Sequence, residues 1–284
     1  MATDLGGLME IVLLGTGSPI PDPNRAGPST LIKAGEGGLE QVLIDAGRGC
    51  VMRMAAAGSM PVLLSGVLIT HLHSDHLCAL NDVITTQWVM TNEPRPLRIW
   101  GPAGIQRFVD RTLDALGPDI GYRIAHHDDL NWGPLVEVSE VQAGDSFELG
   151  SMQVSVHPTV HAPVEPTVGY RVEREGKVAA LAGDTVPCAG LDELADNADV
   201  YVQTVIRDDL VKLVPVERMQ DILDYHSSVE QAAQTAARSR VKTLVLTHLV
   251  PAPQPEQYDE WRAIAAQHFN GEIVVGDDLT SVSL

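Results

Sequence analysis

Positive charge is scarce in this sequence of 284 residues: 19 Lys and Arg stand against 38 Asp and Glu, a formal charge of −19. A protein that grips a polyanion along its length needs clustered Lys and Arg. Here the basic residues are scattered, so broad electrostatic capture of nucleic acid is disfavoured. An anionic substrate held locally by bound cations stays compatible with this composition, because an ion's own charge outweighs a distant background. Cysteine is nearly absent. Cys50, Cys78 and Cys188 lie at unrelated spacings, which argues against a disulfide framework and fits a reducing compartment. Long apolar runs are also missing: nothing approaches the roughly 20 residues that span a bilayer. Residues 1–15 lack the basic start and cleavage site of a secretory leader, so a cytoplasmic protein without a membrane partner is expected.

The chain does have the material for a large core, with 44% apolar residues. Its length predicts one domain over residues 1–284, with room for two similar halves. Apolar runs and turn residues predict strands at 10–14, 29–33, 41–44, 66–70 and 98–101 in the first part. Helices are expected at 51–58, at 77–89 and at 105–116, the last stopped by Gly117-Pro118. Residues 135–181 read as short β segments at 136–141, 152–157, 168–173 and 178–181, after which helices and strands alternate again, ending with a helix at 255–269 and a strand at 272–275. Val229, Ala232, Ala233, Ala236 and Ala237 form one helical face, and Ser227 with Glu230 reads as its capping box. This order predicts an α/β fold in which two mixed sheets pack face to face with helices outside.

The most informative stretch is Thr70-His71-Leu72-His73-Ser74-Asp75-His76, four potential metal ligands crowded into a turn after a buried strand. Chance placement would give such a pattern on the order of once in a thousand sequences of this composition. His71 and His73 are two apart, so an extended backbone presents both imidazoles on one side, and Asp75 and His76 follow once the chain bends. One metal can take the first pair and a second metal the next, since imidazole and carboxylate suit zinc and its borderline neighbours.

At these residues the sequence resembles the metallo-β-lactamase superfamily, in its ribonuclease Z and arylsulfatase-like branch. Further segments carry the resemblance: Leu14-Gly-Thr-Gly-Ser18, Leu43-Ile-Asp-Ala-Gly47, Gly169-Tyr-Arg171, Ala182-Gly-Asp-Thr185 and Leu246-Thr-His248. It implies an αββα sandwich and a di-zinc hydrolase, with manganese or iron as other metals for the same donors. His71, His73 and His161 would hold one zinc, with His157 as the substitute for His161. Asp75, His76 and His248 would hold the other, and Asp184 would bridge them. A hydroxide between the ions would attack an electrophilic phosphorus, sulfur or carbonyl carbon. The resemblance also implies a homodimer.

Asp75 and His226 are the candidate catalytic side chains. His226 precedes a helix in His226-Ser-Ser, similar to a His-Ser-Thr segment that this branch places beside the scissile group, where a histidine can give a proton to the leaving oxygen. Asp45 reads either as support for the ligands or as a turn-former. Cys78 and Cys188 read as core, and residues 126–129, His-His-Asp-Asp, as a solvated loop. Gly15-Thr-Gly17 is no nucleotide signature, lacking the third glycine and any P-loop lysine.

Two departures from the family pattern bear on substrate. The tRNA-gripping arm of the usual bacterial enzyme is replaced at residues 172–178 by a hairpin. Gln203-Thr204 stands where a His-Glu pair would orient His226. With the negative charge, these changes predict a phosphodiesterase acting on small or flexible phosphodiesters, nucleic acid being possible but not favoured. The alternatives are an aryl sulfatase or lactonase, with Trp88 and Trp132 as pocket residues, a tRNA 3′-end endonuclease despite the missing arm, or a scaffold that keeps the fold without chemistry.

Overall fold

In the computed structural model, which describes residues 9–284, alternation within the first strand sets the layering. β1 (Glu10–Gly15) sends Ile11 and Leu13 into one apolar cluster and Val12 and Leu14 into another, as the period of two in a strand requires. The first cluster lies between two sheets, and the second under helices.

The first sheet continues through β2 (Ser29–Ala34), β3 (Glu40–Ile44), β4 (Leu64–Leu68), β5 (Leu97–Gly101) and β6 (Val136–Glu140). The second comprises β7 (Ser146–Leu149), β8 (Met152–Pro158), β9 (Val168–Arg174), β10 (Lys177–Leu181), β11 (Val200–Ile206), β12 (Thr243–Val250) and β13 (Glu272–Val275). A short β14 (Ser281–Ser283) returns to pair antiparallel with β1, giving two seven-stranded sheets. Each sheet runs antiparallel on one side and parallel on the other, with β3-β4-β5-β6 matched by β10-β11-β12-β13. The expected αββα sandwich of two similar halves is the observed one.

Helices α1 (Cys50–Ala56), α2 (Ser74–Leu77), α3 (Leu80–Met90) and α4 (Ile105–His126) accompany the first sheet. Helices α5 (Ala189–Ala195), α6 (Asp208–Val211), α7 (Glu217–Gln220), α8 (Val229–Arg238) and α9 (Tyr258–Ala265) accompany the second. The inner parallel strands are buried on both faces, and all seven residues of β11 are buried, as expected where helices cover one side and a second sheet the other; the outer strands β6 and β13 are partly exposed.

Several local expectations need correction. The helix expected at 77–89 is interrupted at Cys78 and Ala79, where the Ala79 amide turns to donate to the Ala46 carbonyl at 2.9 Å. Helix α4 runs on through Gly117-Pro118. Pro118 removes one backbone donor, but Leu113, Leu116, Ile120 and Ile124 keep a half-buried stripe at helical spacing across it. The cap of α8 is Ser228, not Ser227: its hydroxyl accepts from the Gln231 amide at 3.2 Å and Gln231 Oε1 accepts from its amide at 2.9 Å. Ser227 is engaged elsewhere, donating to the Thr185 carbonyl at 2.7 Å. The helix expected at 255–269 is a 3₁₀ turn at Pro255–Gln257 followed by the shorter α9. Cys78, in the helix break, is exposed and Cys188, ahead of α5, is half-buried, so neither is the core residue expected.

The chain crosses from β13 back to the first sheet through Asp277 and Asp278. The buried Asp278 carboxylate accepts from the Thr16 amide at 3.0 Å, the Thr16 hydroxyl at 2.9 Å and the Ala26 amide at 2.7 Å, and pairs with Arg53 at 2.9 Å. It fixes the loop after β1 against both sheets. Asp278→Ala orphans two backbone amides and takes from Arg53 its carboxylate partner, so we expect a loss of about 2–4 kcal/mol. A urea unfolding midpoint that does not move would refute this role.

Candidate metal centre

The ends of parallel strands deliver the polar cluster, the edge at which open α/β sheets place ligands. His71 and His73 follow β4 in extended backbone, and His73 starts α2, which carries Asp75 and His76. His161 lies in the β8–β9 connection, Asp184 follows β10, His226 precedes α8, and His248 lies within β12. Gly183 makes the turn into Asp184 with φ +65°, and a Cβ there would come within 2.8 Å of the Thr70 side chain. Asp45 and His248 also have positive φ, +58° and +51°. Non-glycine residues adopt this conformation at a cost of order 1–3 kcal/mol each, and it concentrates at functional sites.

The structure brings all seven expected metal ligands together. His71 Nε2 and His161 Nε2 lie 3.1 and 3.2 Å from His73 Nδ1, and each is 3.8 Å from Asp184 Oδ2. Beside them, Asp75 Oδ2 is 3.6 Å from His76 Nε2 and 3.3 Å from His248 Nε2, and these nitrogens stand 3.4 and 3.6 Å from Asp184 Oδ2. His71, His73, His161 and Asp184 form one group with donor atoms within 4.8 Å of one another, and Asp75, His76 and His248 another. His226 Nε2 approaches Asp184 Oδ2 at 3.2 Å and joins a third group with His248.

This donor set fits a pair of cations. A tetrahedral site with metal–nitrogen bonds of about 2.0–2.1 Å has nitrogen–nitrogen edges of about 3.3 Å, close to the spacing of the first three imidazoles. His76 Nε2 and Asp184 Oδ1 are buried with no hydrogen-bond partner, although buried polar atoms are almost always partnered. Burial, reinforced by His76, holds His71 well below the ordinary imidazole value, and burial lowers His73 and brings His161 down to about 4, leaving their lone pairs free. Burial alone would raise Asp184, but His248, His76 and His226 hold its carboxyl well below the usual range. The second group behaves oppositely: against burial, Asp184 with Asp45 raises His76, and Asp184 with Asp75 raises His248. His248 in turn keeps Asp75 low against its own burial.

A hydrogen-bonded layer behind the donors orients them. Asp45 Oδ1 accepts from the Thr70 amide at 2.8 Å, and Oδ2 accepts from the Thr70 hydroxyl at 2.9 Å and His76 Nδ1 at 2.8 Å. The Thr70 hydroxyl also meets His71 Nδ1 at 3.0 Å. One carboxylate thus holds His76 directly and His71 through Thr70, and of the two readings open for Asp45 the structure supports the supporting role. His161 Nδ1 donates to the Tyr225 carbonyl at 2.8 Å, and His226 Nδ1 donates to the Ile222 carbonyl at 3.2 Å. With Nδ1 protonated, Nε2 is left to face the centre.

Other sequence candidates fall away from the centre. His157 sits on β8 with its ring nitrogen 3.2 Å from Ser155 Oγ. Gln203 donates to the Thr204 carbonyl and Thr204 to the Gly183 carbonyl, both at 2.8 Å, so neither orients His226; the Ile222 carbonyl does. His126 ends α4, and residues 126–129 are exposed. Trp88 is fully buried, donating to the Trp132 carbonyl at 2.8 Å, and neither tryptophan lines the cavity beside the centre.

That cavity has a volume of about 570 Å³ and opens onto His73, Asp75, Asp184, His226 and His248. Its far wall comes from residues 210–225, where the sequence pattern predicts no element. Leu210, Val214, Met219 and Ile222 line it, and their spacing was the available signal, interrupted by Pro215. Arg207 anchors the segment by pairing with Asp209 at 2.7 Å and Glu260 at 2.9 Å.

Removing the Asp45 carboxylate should weaken metal binding 10- to 100-fold, the usual consequence of losing an orienting partner behind a ligand. Competition of Asp45→Ala and the parent protein for zinc against a chelator measures this, with circular dichroism as the folding control. Equal affinities would reduce Asp45 to a turn residue.

Comparison with known proteins agrees with this geometry. Residues 40–249 match the Beta-lactamase superfamily domain. A ribonuclease Z of Mycolicibacterium paratuberculosis is 54% identical over 279 residues, covering 98% of this chain and 99% of its own length. That of Mycobacterium tuberculosis is 52% identical over 280 residues, covering 98% of both chains. Among solved structures, the metallo-beta-lactamase fold protein YhfI from Bacillus subtilis superposes with a TM-score of 0.76 at 18% identity, over 98% of this chain and 100% of its own. Human tRNase Z, short form, gives 0.70 at 23% identity, over 96% of this chain and 98% of its own. The chain is a metal-dependent hydrolase that belongs to the metallo-β-lactamase superfamily and, within it, to the ribonuclease Z family.

Proposed function

We propose that this chain hydrolyses a phosphodiester bond in tRNA precursors at their 3′ ends. The observation that carries the reading is a full set of seven metal-donor side chains in a chain 54% identical, from end to end, to a protein named ribonuclease Z. The composition and the short β9–β10 hairpin favour a small phosphodiester instead. However, the relative is matched over 99% of its own length, which leaves no room for a long arm at that hairpin. A short hairpin is therefore compatible with the ribonuclease Z name, and the missing arm no longer argues for a small substrate.

In this proposal His71, His73 and His161 would hold one divalent ion and Asp75, His76 and His248 a second, with Asp184 among the donors of both. The donors are all nitrogen and oxygen, which suits zinc and also serves manganese or iron. When bound, the two ions supply charge neutralisation at the phosphate and a nucleophilic water at neutral pH. The Asp75 carboxylate, kept ionised by its histidine neighbours, orients that water by accepting a hydrogen bond. As the bond from the attacking water to phosphorus forms, with the water's proton leaving to solvent, and the bond to the leaving oxygen breaks, a doubly protonated His226 gives its Nε2 proton to that oxygen, while the Ile222 carbonyl holds Nδ1–H and fixes the ring.

Metal-loaded protein should cleave a tRNA precursor with a 3′ extension, and a chelator should abolish the cleavage. Asp184→Ala is expected to lose both hydrolysis and metal loading while staying folded. His226→Ala should lower kcat by about 10²- to 10⁴-fold with KM little changed, as for removal of a general acid. A wild-type protein that hydrolyses bis(p-nitrophenyl) phosphate but leaves the precursor intact would overturn the tRNA reading in favour of a small phosphodiester.

A further inference from the structure

The cavity beside the metal centre carries two kinds of charged group. Asp75, Asp184 and His226 of the reaction site line it, and so does Arg218, an exposed residue on α7. Arg218 is the only Lys or Arg lining the cavity among the described residues. It forms neither an ion pair nor a side-chain hydrogen bond with any of them, although carboxylates outnumber basic side chains 38 to 19 in this chain. By contrast Arg207, at the root of the same segment, is locked between Asp209 and Glu260. An unpaired guanidinium in so acidic a chain is free to bind an anion that arrives from outside, and its planar fork matches phosphate oxygens.

Most of the remaining lining is apolar. Ile20, Leu210, Val214, Met219 and Ile222 face the hollow. Tyr225, the one Phe, Tyr or Trp side chain on the wall among the described residues, packs its ring against His161 and His226 at centroid distances of 5.1 and 4.8 Å. Among the described residues no Asn, Gln or Lys lines the cavity, and Ser18 and Ser74 are its only hydroxyls besides Tyr225. A volume of about 570 Å³ falls within the range that accepts one small organic ligand. A flat base against an apolar and aromatic wall, flanked by a phosphate on each side, matches this arrangement, and such stacking is tolerant of base identity.

We infer that the cavity is a one-nucleotide subsite in which Arg218 binds the phosphate next to the scissile one while the intervening nucleoside lies against the wall formed by residues 210–225. The inference deepens the phosphodiesterase reading by naming the group that sets distance along the strand. It assigns Arg218 a binding role, not a chemical one, and makes the subsite selective for a second phosphate, not for a sequence.

The test is calorimetric binding of two probes to the metal-loaded protein: adenosine 3′,5′-bisphosphate and adenosine 5′-monophosphate. Wild type is expected to bind the bisphosphate more tightly. Arg218→Ala should weaken the bisphosphate about tenfold and the monophosphate less than about threefold, and Arg218→Lys, which keeps the charge and loses the fork, should recover only part of the loss. α7 lies at the surface, so folding of these variants is checked by their unfolding midpoints. Equal weakening of both probes, no weakening of either, or no preference of wild type for the bisphosphate would each overturn the proposal. Because no tRNA is used, failure of precursor cleavage would sink the proposed substrate and leave this binding result to be judged separately.

Discussion

A fully buried carboxylate survives only among compensating positive charge, and Asp184 imposes that condition on one whole edge of the sandwich. Its Oδ2 atom stands within 3.2–3.8 Å of five imidazole nitrogens drawn from both sheets. Removing one partner from such a cluster leaves charge stranded in a medium of low dielectric. The strand ends, the Gly183 turn and the left-handed backbones of Asp45 and His248 are all local costs that this arrangement justifies. Metal binding and the packing of the two halves are accordingly coupled, since the donors around Asp184 meet only when both sheets are in place.

Much of this was legible in the sequence because it rests on local patterns. The uninterrupted apolar run in Glu10-Ile-Val-Leu-Leu14 marks a strand with two buried faces, and the crowding of His71, His73, Asp75 and His76 has no reasonable origin in a solvated turn. His161, Asp184 and His248 were reached through resemblance, each being a single residue with no local signature of its own. What local reading missed depends on tertiary context. Pro118 is tolerated in α4 because a continuous apolar stripe holds the helix on either side of it. The choice of Ser228 over Ser227 as a cap is made by Thr185, far away in sequence, which takes the Ser227 hydroxyl. Asp45 could not be told from a turn-former until its two oxygens were seen bound to Thr70 and His76. The wall at 210–225 was overlooked because its elements are single turns, below the length at which periodicity speaks.

The electrostatic picture separates scales. A net charge of −19 weakens long-range attraction for any polyanion at the low ionic strength where such attraction reaches farthest. At the centre itself the donors are built to gather positive charge, and the local field is set by the ions they hold. Under the proposed function, affinity for a nucleic acid must then come from short-range contacts at the centre and its cavity, which makes fit at the cleavage point more important than general adhesion.

The pairing of β14 with β1 has a consequence for how the protein is made. Glu10 lies opposite Ser283, so on a ribosome the first strand is synthesised long before the strand that covers its outer edge. Until then β1 presents unpaired amides and carbonyls along an apolar ribbon, the kind of edge that recruits strands from other chains. Aggregation during biosynthesis is therefore most dangerous in the interval before residues 281–283 emerge, and a strand of only three residues closes that interval.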